Sequence, residues 1–269
     1  MPSYPTVESG PLHGAAYLYD NAVAAIALVG CGERDQACRI GAAILWAIDN
    51  DRTWHDGRLR NAYAAGVVAN GSAKLPGWWD AAAFGLLAIR TGDSRWRDMA
   101  TAAEHFVDTM WDPACACFAA GTAEDGVTHN PTLALDAQVW TLTALPEAAK
   151  EFASAIATAE RRMSVDKGFS YGEDRDGVWT EGTGQMALLL ELLGRTGEAK
   201  SLVAVIESQR SPDGGFYATS VRGLSTGFML DTDPAKPRLY FRLPHLGAAS
   251  WAALAERGFN PFTATKGLP

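Results

Sequence analysis

Thr180-Glu181-Gly182-Thr183, running on into Gly184-Gln185-Met186-Ala187-Leu188-Leu189-Leu190-Glu191-Leu192-Leu193, decides how this chain is read. An acid stands in the first turn of a segment that is then apolar on nearly every side. The same opening recurs at Tyr19-Asp20-Asn21-Ala22, Trp79-Asp80-Ala81-Ala82 and Leu135-Asp136-Ala137-Gln138. In His245-Leu246-Gly247-Ala248 a histidine stands where the acids were. From Asp20 to Asp80, Asp136, Glu181 and His245 the successive intervals are 60, 56, 45 and 64 residues. Recurrence at such spacing marks a repeated helix-pair unit with loops of varying length. Parallel helices bring their N-terminal ends together, so a ring of them gathers these side chains around one mouth.

The apolar periodicity predicts helices over 15–29, 35–49, 79–90, 95–110, 132–144, 147–163, 181–195, 197–209 and 245–257. They alternate in kind. AVAAIALV, AAAFGLLAI and AASWAALA are apolar all round, whereas RDMATAAEHFVDTM and EAAKEFASAIATAERR carry charge on one face. A helix apolar on all sides is enclosed, and an amphipathic one lies outside it. The expectation is therefore all-α: an (α/α) toroid of about five helical hairpins, apolar helices inside and amphipathic ones outside. Its linkers DGRLRNAY, CFAAGTAEDG, GFSYGEDRDG and DGGFYATS mix aspartate, glycine and aromatics, which predicts tight turns and short β-like loops at the mouth. No stretch is rich enough in Pro, Ser or Gly to divide domains. One domain over 1–269 is expected, with irregular tails at 1–12 and 263–269.

Composition bounds the function. Hydrophobic residues make up 48% of the 269 residues and charged ones 20%, ordinary for a packed protein. A net charge of −8 argues against nucleic acid or an anionic membrane as partner. No run reaches the ~18 apolar residues of a membrane span, and the polar, proline-containing start shows no signal peptide. Cys31 and Cys38 flank a helix–helix turn, where a bridge and two reduced thiols are both open readings. Cys115 and Cys117 form a C-x-C with no second pair to complete a metal site, so neither metal nor cofactor is expected.

The acids at the mouth suggest chemistry. Glycoside cleavage needs one carboxyl kept protonated and another kept charged. Asp20, Asp80, Asp136 and Glu181 are the candidates, each also explicable as a cap that complements the helix dipole. Trp179 precedes Glu181, and its ring would desolvate the carboxyl and raise its pKa, which suits a general acid. Helix N-termini lower carboxyl pKa values, so Asp20 and Asp136 read as base or ligand. His245 is either a proton shuttle or a capping histidine. Gln138 and Gln185, set in apolar helices, must find partners or line a wet cavity. Tyr19, Trp54, Trp78, Trp79, His129, Trp140, Trp179, Tyr240 and Arg242 are the candidate substrate contacts, with Phe216 and Tyr217 nearby. Arg222 and Arg242 would balance the acids or grip the carboxylate of a uronic acid.

The words YDNAVAAIALVG, DGRLRNAY, RWRDMATAAEHFVDTMWD, LDAQVWTLTAL, DGVWTEGTGQMALLLELLG, STGF and HLGAASWAALAERGFNPF occur in that order along most of the chain. In them the chain resembles the six-hairpin glycosidase-like superfamily, within it a group of uncharacterised bacterial members. The resemblance implies a carbohydrate-active protein, a glycoside hydrolase by first reading, with exported or periplasmic location. It departs at Pro76-Gly77-Trp78-Trp79-Asp80, where that group often has a Glu-His-Asn word and more helix pairs. That departure implies a shortened ring, which a second copy of the chain would cover as a homo-oligomer. Three other readings stay open. SQRSPDGGFY faintly resembles a repeat of terpenoid cyclases, which use an Asp acid in an aromatic toroid. A hydratase or isomerase would use Cys115 or Cys117 as its thiol. A degenerate toroid would bind glycan without turnover.

Overall fold

A computed structural model describes residues 1–49, 62–64, 105–122, 127–230, 233–263 and 265–266. Its helices are α1 (Leu18–Gly30), α2 (Arg34–Asp49), α3 (Leu135–Ala144), α4 (Pro146–Glu151), α5 (Ser154–Met163), α6 (Thr180–Leu192), α7 (Thr196–Glu207) and α8 (Leu246–Arg257). Residues 105–109 are also helical, in the second half of the expected 95–110 segment. The expected helix over 79–90 lies outside the described residues. Among those described, no helix is long and apolar enough to cross a membrane.

The expected inner and outer layers are present. Helix α1 packs on α8, α8 on α6, and α6 on α3, so the apolar helices form one curved inner row. Helices α2 and α7 pair with α1 and α6 from outside. Every residue from Thr180 to Leu190 of α6 is buried, whereas α7 buries only Ala199, Leu202 and Ile206. Burying each of Leu188, Leu189 and Leu190 contributes about 1.5–3 kcal/mol. Small residues set how closely the inner helices approach. A Cβ on Gly184 would stand 3.1 Å from the Trp251 backbone carbonyl oxygen on α8. One continuous apolar cluster runs from Val23 in α1 to Phe259 just after α8. Gly258 ends α8 in the left-handed region at φ 58°, a conformation glycine adopts without a Cβ penalty.

Several boundaries differ from the sequence reading. The helix expected over 147–163 breaks at Phe152, where the ring packs on Trp111 and Phe118 with centroids 4.7 and 5.1 Å away. The first helix begins at Leu18 rather than residue 15, because β1 (Ala15–Tyr17) pairs antiparallel with β2 (Ala62–Ala64). Helix α3 begins at Leu135 because Ala134 is extended and the Leu135 N–H donates to the Tyr171 carbonyl, 2.9 Å. The first fourteen residues form turns without helix or strand, yet they are tied down. Ser3 N donates to the Ala15 carbonyl at 2.8 Å, and the Ser3 carbonyl accepts from Leu246 N at 2.9 Å.

The loops pair as expected, in short antiparallel hairpins: β3 (Trp111–Asp112) with β4 (Cys117–Phe118), and β5 (Ser164–Val165) with β6 (Gly168–Phe169). The larger hairpin of β7 (Gly223–Leu230) and β8 (Asp233–Phe241) was not foreseen. Pro234, Pro237 and the glycines in β7 hide its strand pattern, since proline demotes a strand reading. After α8, β9 (Phe259–Asn260) pairs with β10 (Thr265–Lys266). Cys115 and Cys117 are joined in a disulfide, while Cys31 and Cys38 are free. The thiol role once open to Cys115 or Cys117 is thereby overturned: neither sulfur is a free nucleophile.

Candidate active site

The N-terminal ends of α1, α3, α6 and α8 converge beneath the β7–β8 hairpin on one cavity of about 1350 Å³. Asp20, Asp136, Glu181 and His245 all line it. Glu181 and Asp20 are buried, 1% and 3% exposed. His245 Nε2 lies 3.2 Å from Asp20 Oδ2, and His245 Nδ1 lies 3.8 Å from Glu181 Oε2. His245 is also the N-cap of α8, with Nδ1 accepting the Ala248 N–H at 3.4 Å. With Nδ1 accepting, the ring proton sits on Nε2 and is donated to Asp20. A second proton at Nδ1 exchanges the long cap bond for attraction to Glu181.

Capping does not account for Asp20 and Glu181. No side-chain cap bond is made by Tyr17, Ala134 or Trp179, the residues preceding α1, α3 and α6. Of the three acids only Asp136 accepts a backbone N–H of its own helix, that of Ala137 at 2.8 Å. Glu181 Oε1 instead accepts a hydrogen bond from the Tyr19 hydroxyl, and Tyr19 accepts from Trp251 Nε1 at 2.8 Å. Among the described residues Glu181 Oε2 has no hydrogen-bond partner. One oxygen is thus held in place and the other is not.

Electrostatics separates the groups. Burial is the largest cause lifting Glu181 to about 7; the Asp20 charge adds to it, and the His245 charge and the Tyr19 hydrogen bond oppose it. Burial also lifts Asp136 to about 6, against the pull of the Ala137 N–H and the Arg238 charge. The helix N-terminus was expected to lower Asp136; at this site desolvation exceeds the dipole. Burial pulls His245 down, but the charge and hydrogen bond of Asp20, with Glu181, outweigh it, so its pKa is raised.

A band of rings stands above the acids. Tyr171 packs on Trp179 with centroids 4.8 Å apart, Trp179 on Tyr240 at 5.5 Å, and Tyr19 on Trp140 at 5.9 Å. Trp179 lies against the first turn of α6 at Gly182, where a Cβ would stand 2.1 Å from its Cε3. That contact explains the aromatic three residues before this glycine.

Of the predicted site residues, Tyr19, Asp20, Asp136, Trp140, Trp179, Glu181, Tyr240, Arg242 and His245 line the cavity. Trp54, Trp78, Trp79 and Asp80 lie outside the described residues. His129 is elsewhere, bonding the Thr109 carbonyl at 2.8 Å beside an isolated bridge to Thr122. Gln138 is structural: its side chain holds both the Phe118 N–H, 2.7 Å, and the Phe118 carbonyl, 2.8 Å. Gln185 is buried and does not line the cavity, and among the described residues neither polar side-chain atom has a hydrogen-bond partner.

Sequence reasoning missed Tyr4, whose ring stacks on His245 at 4.6 Å, together with Tyr171, Arg238 and Gly247. Gly247 is the most informative of these. A Cβ there would meet Glu181 Oε2 at 2.9 Å, His245 Cε1 at 2.9 Å and Asp20 Oδ1 at 3.0 Å. The absent side chain is what lets the three groups converge. The repeated small residue after each helix opening was the available signal.

No family model and no curated protein matches the chain. Solved structures do. A glycosidase in complex with glucose is 17% identical, with a TM-score of 0.54 over 96% of this chain and 91% of that one. A glycosidase variant with a glutamate replaced by alanine is 16% identical, with a TM-score of 0.53 over the same shares. A possible member of the GH105 family from Salmonella enterica is 15% identical, with a TM-score of 0.52 over 86% of this chain and 69% of that one. At such identities the likeness concerns the fold: this chain is an all-α protein with the (α/α) toroid architecture found in glycosidases.

Proposed function

We propose that the chain is a carbohydrate-active enzyme that hydrolyses a glycosidic bond, with Glu181 as general acid and Asp136 as general base. The observation that carries this reading is a pair of carboxyls in one aromatic-lined cavity, lifted to about 7 and about 6. Between those values Glu181 keeps its proton while Asp136 is charged, the division of labour that acid–base cleavage needs. Glu181 donates the proton on Oε2 to the glycosidic oxygen as the bond to the anomeric carbon breaks. Asp136 takes a proton from the water that attacks that carbon. One water is consumed and two sugar fragments leave. Asp20 and His245 hold Glu181 in position, and the rings of Trp140, Trp179, Tyr171 and Tyr240 offer stacking faces to a sugar. A solved neighbour of the same fold is a glycosidase in complex with glucose. The finer readings from the sequence, a shortened ring and a covering second copy, remain part of this proposal.

The test is a screen of oligosaccharides with wild type, Glu181→Gln and Asp136→Asn, following products by mass spectrometry. Hydrolysis adds the mass of one water across the products, whereas elimination leaves their summed mass unchanged and isomerisation gives one product. The reading requires hydrolysis by wild type and losses of at least about 10²-fold in both variants. Full activity in either variant would sink the assignment. Turnover of a terpenoid, or glycan binding without cleavage, would replace it.

A further inference from the structure

The β7–β8 hairpin carries a feature that stability does not explain. Gly223 pairs with Phe241, and Leu224 with Tyr240. Extending this register by one residue sets Arg222 opposite Arg242 at the base of the hairpin. Side chains alternate along a strand, so Arg238, Tyr240 and Arg242 share one face of β8 and its continuation. Thr226 lies beside Arg238, and its hydroxyl donates to the Arg238 carbonyl at 2.8 Å. Arg222, Thr226, Arg238, Tyr240 and Arg242 all line the cavity.

Like charges directly opposite in a hairpin are destabilising. Among the described residues none of these three arginines makes an ion pair, and Arg238 acts on Asp136 only through its charge. Yet the chain carries 31 acids against 23 basic residues, so acids are not scarce. Three other arginines are paired, Arg162 with Glu173, Arg195 with Glu160 and Glu198, and Arg210 with Glu207, while Arg161 and Arg175 bond Thr158 and the Ser164 carbonyl. Arg242 instead lies over the Tyr217 ring, 4.1 Å from its centroid, which orients the guanidinium while leaving its N–H groups free of carboxylate.

We propose that this hairpin face is a subsite for an anionic substituent on the substrate, a carboxylate, sulfate or phosphate. This rests on the reading of the cavity as a carbohydrate site and names the class of sugar it takes. The planar fork of arginine matches each of these groups in bidentate fashion. The acids sit on the floor at Glu181 and Asp136, and the arginines at the rim. A sugar bound with its anionic group outward therefore presents its neutral ring to the acid–base pair. A group directed inward would meet the charged Asp136 and be repelled.

Titration calorimetry on the full chain tests this with matched probes: galacturonic acid against galactose, glucose 6-phosphate and glucose 6-sulfate against glucose, and inorganic sulfate alone. At low salt at least one acidic sugar is expected to bind about tenfold or more tighter than its neutral counterpart. The preference should shrink in 1 M salt. In Arg222→Gln/Arg242→Gln the ratio should fall close to one, and Arg222→Lys/Arg242→Lys should keep part of it. Equal binding of acidic and neutral sugars overturns this subsite and leaves the carbohydrate reading standing. Inorganic sulfate binding as tightly as any acidic sugar also overturns it, because the sugar would then add nothing. Failure of every sugar to bind, with no oligosaccharide cleaved, overturns both.

Discussion

Replacing Gly247 by alanine adds a single methyl group at the point where three buried polar side chains meet. The new carbon would stand 2.9 Å from Glu181 Oε2, 2.9 Å from His245 Cε1 and 3.0 Å from Asp20 Oδ1, each well inside the ordinary contact range that begins at 3.4 Å. None of the three can move freely. Asp20 and His245 hold each other, and Glu181 is tethered by Tyr19. Overpacking of this kind costs about 1–3 kcal/mol. Helix propensity works the other way, since alanine in place of glycine within a helix gains about 1 kcal/mol. The net, about 0–2 kcal/mol of destabilisation, lowers Tm by up to about 8 °C at ~2–4 °C per kcal/mol. Catalysis should suffer more than stability, because a displacement of ~1 Å in a catalytic group costs up to about 10²-fold. The assay is kcat on the substrate found by the oligosaccharide screen, with NMR titration of the His245 Cε1 proton as a readout independent of turnover. The account expects kcat to fall about 10–10²-fold and the His245 signal to shift. Unchanged kcat, an unmoved His245 titration and a raised Tm would together refute the convergence of Asp20, His245 and Glu181 at Gly247.

Four further outcomes follow from the same geometry. The pH–rate profile should be narrow and bell-shaped, rising through about 6 as Asp136 ionises and falling through about 7 as Glu181 loses its proton; a flat profile from 5 to 8 would contradict the assignment. Both carboxyls have folded pKa values raised above the ordinary 3.8 and 4.5, so the folded state holds their protons more tightly and stability falls as pH rises from about 4 to about 7. Asp136→Asn should therefore stabilise the protein above pH 6 by on the order of 1–3 kcal/mol while abolishing cleavage, and thermal melts at pH 5 and 8 check the sign. Gln138→Leu leaves the Phe118 N–H and carbonyl without their partner, and should cost about 2–4 kcal/mol by denaturant unfolding without moving the pH optimum. Thiol counting in denaturant should find two reactive cysteines, Cys31 and Cys38, before reduction and four after it; four before reduction would remove the Cys115–Cys117 bridge.

The inner helices were legible because the signal is long and redundant. Eleven consecutive buried residues in α6, from Thr180 to Leu190, leave no polar face to confuse the reading. The acids were legible for the same reason: Asp20, Asp136, Glu181 and His245 occupy equivalent places in repeated units, and the fold brings equivalent places together. What was hidden depends on contacts distant in sequence. Nothing near Tyr4 announces that it stacks on His245, 241 residues away along the chain. His129 and Gln138 were chemically sound candidates, but local hydrogen bonds claim them, His129 by Thr109 and Gln138 by Phe118. The pKa of Asp136 was read in the wrong direction because a helix N-terminus is visible in sequence and desolvation by a surrounding cavity is not. The β7–β8 hairpin was missed because its prolines and glycines disguise a strand pair whose value lies in covering the mouth.

The central claim is that Glu181 and Asp136 act on a glycosidic bond inside this cavity. A crystal structure of the Glu181→Gln variant soaked with the oligosaccharide that wild type cleaves tests it most directly. The account predicts a sugar ring against Trp179 and Tyr240, its glycosidic oxygen within ~2.6–3.2 Å of the residue 181 side chain, and the anomeric carbon open to a water held by Asp136. Sugar bound outside the cavity, or inside it with the glycosidic oxygen out of reach of residue 181, would contradict it.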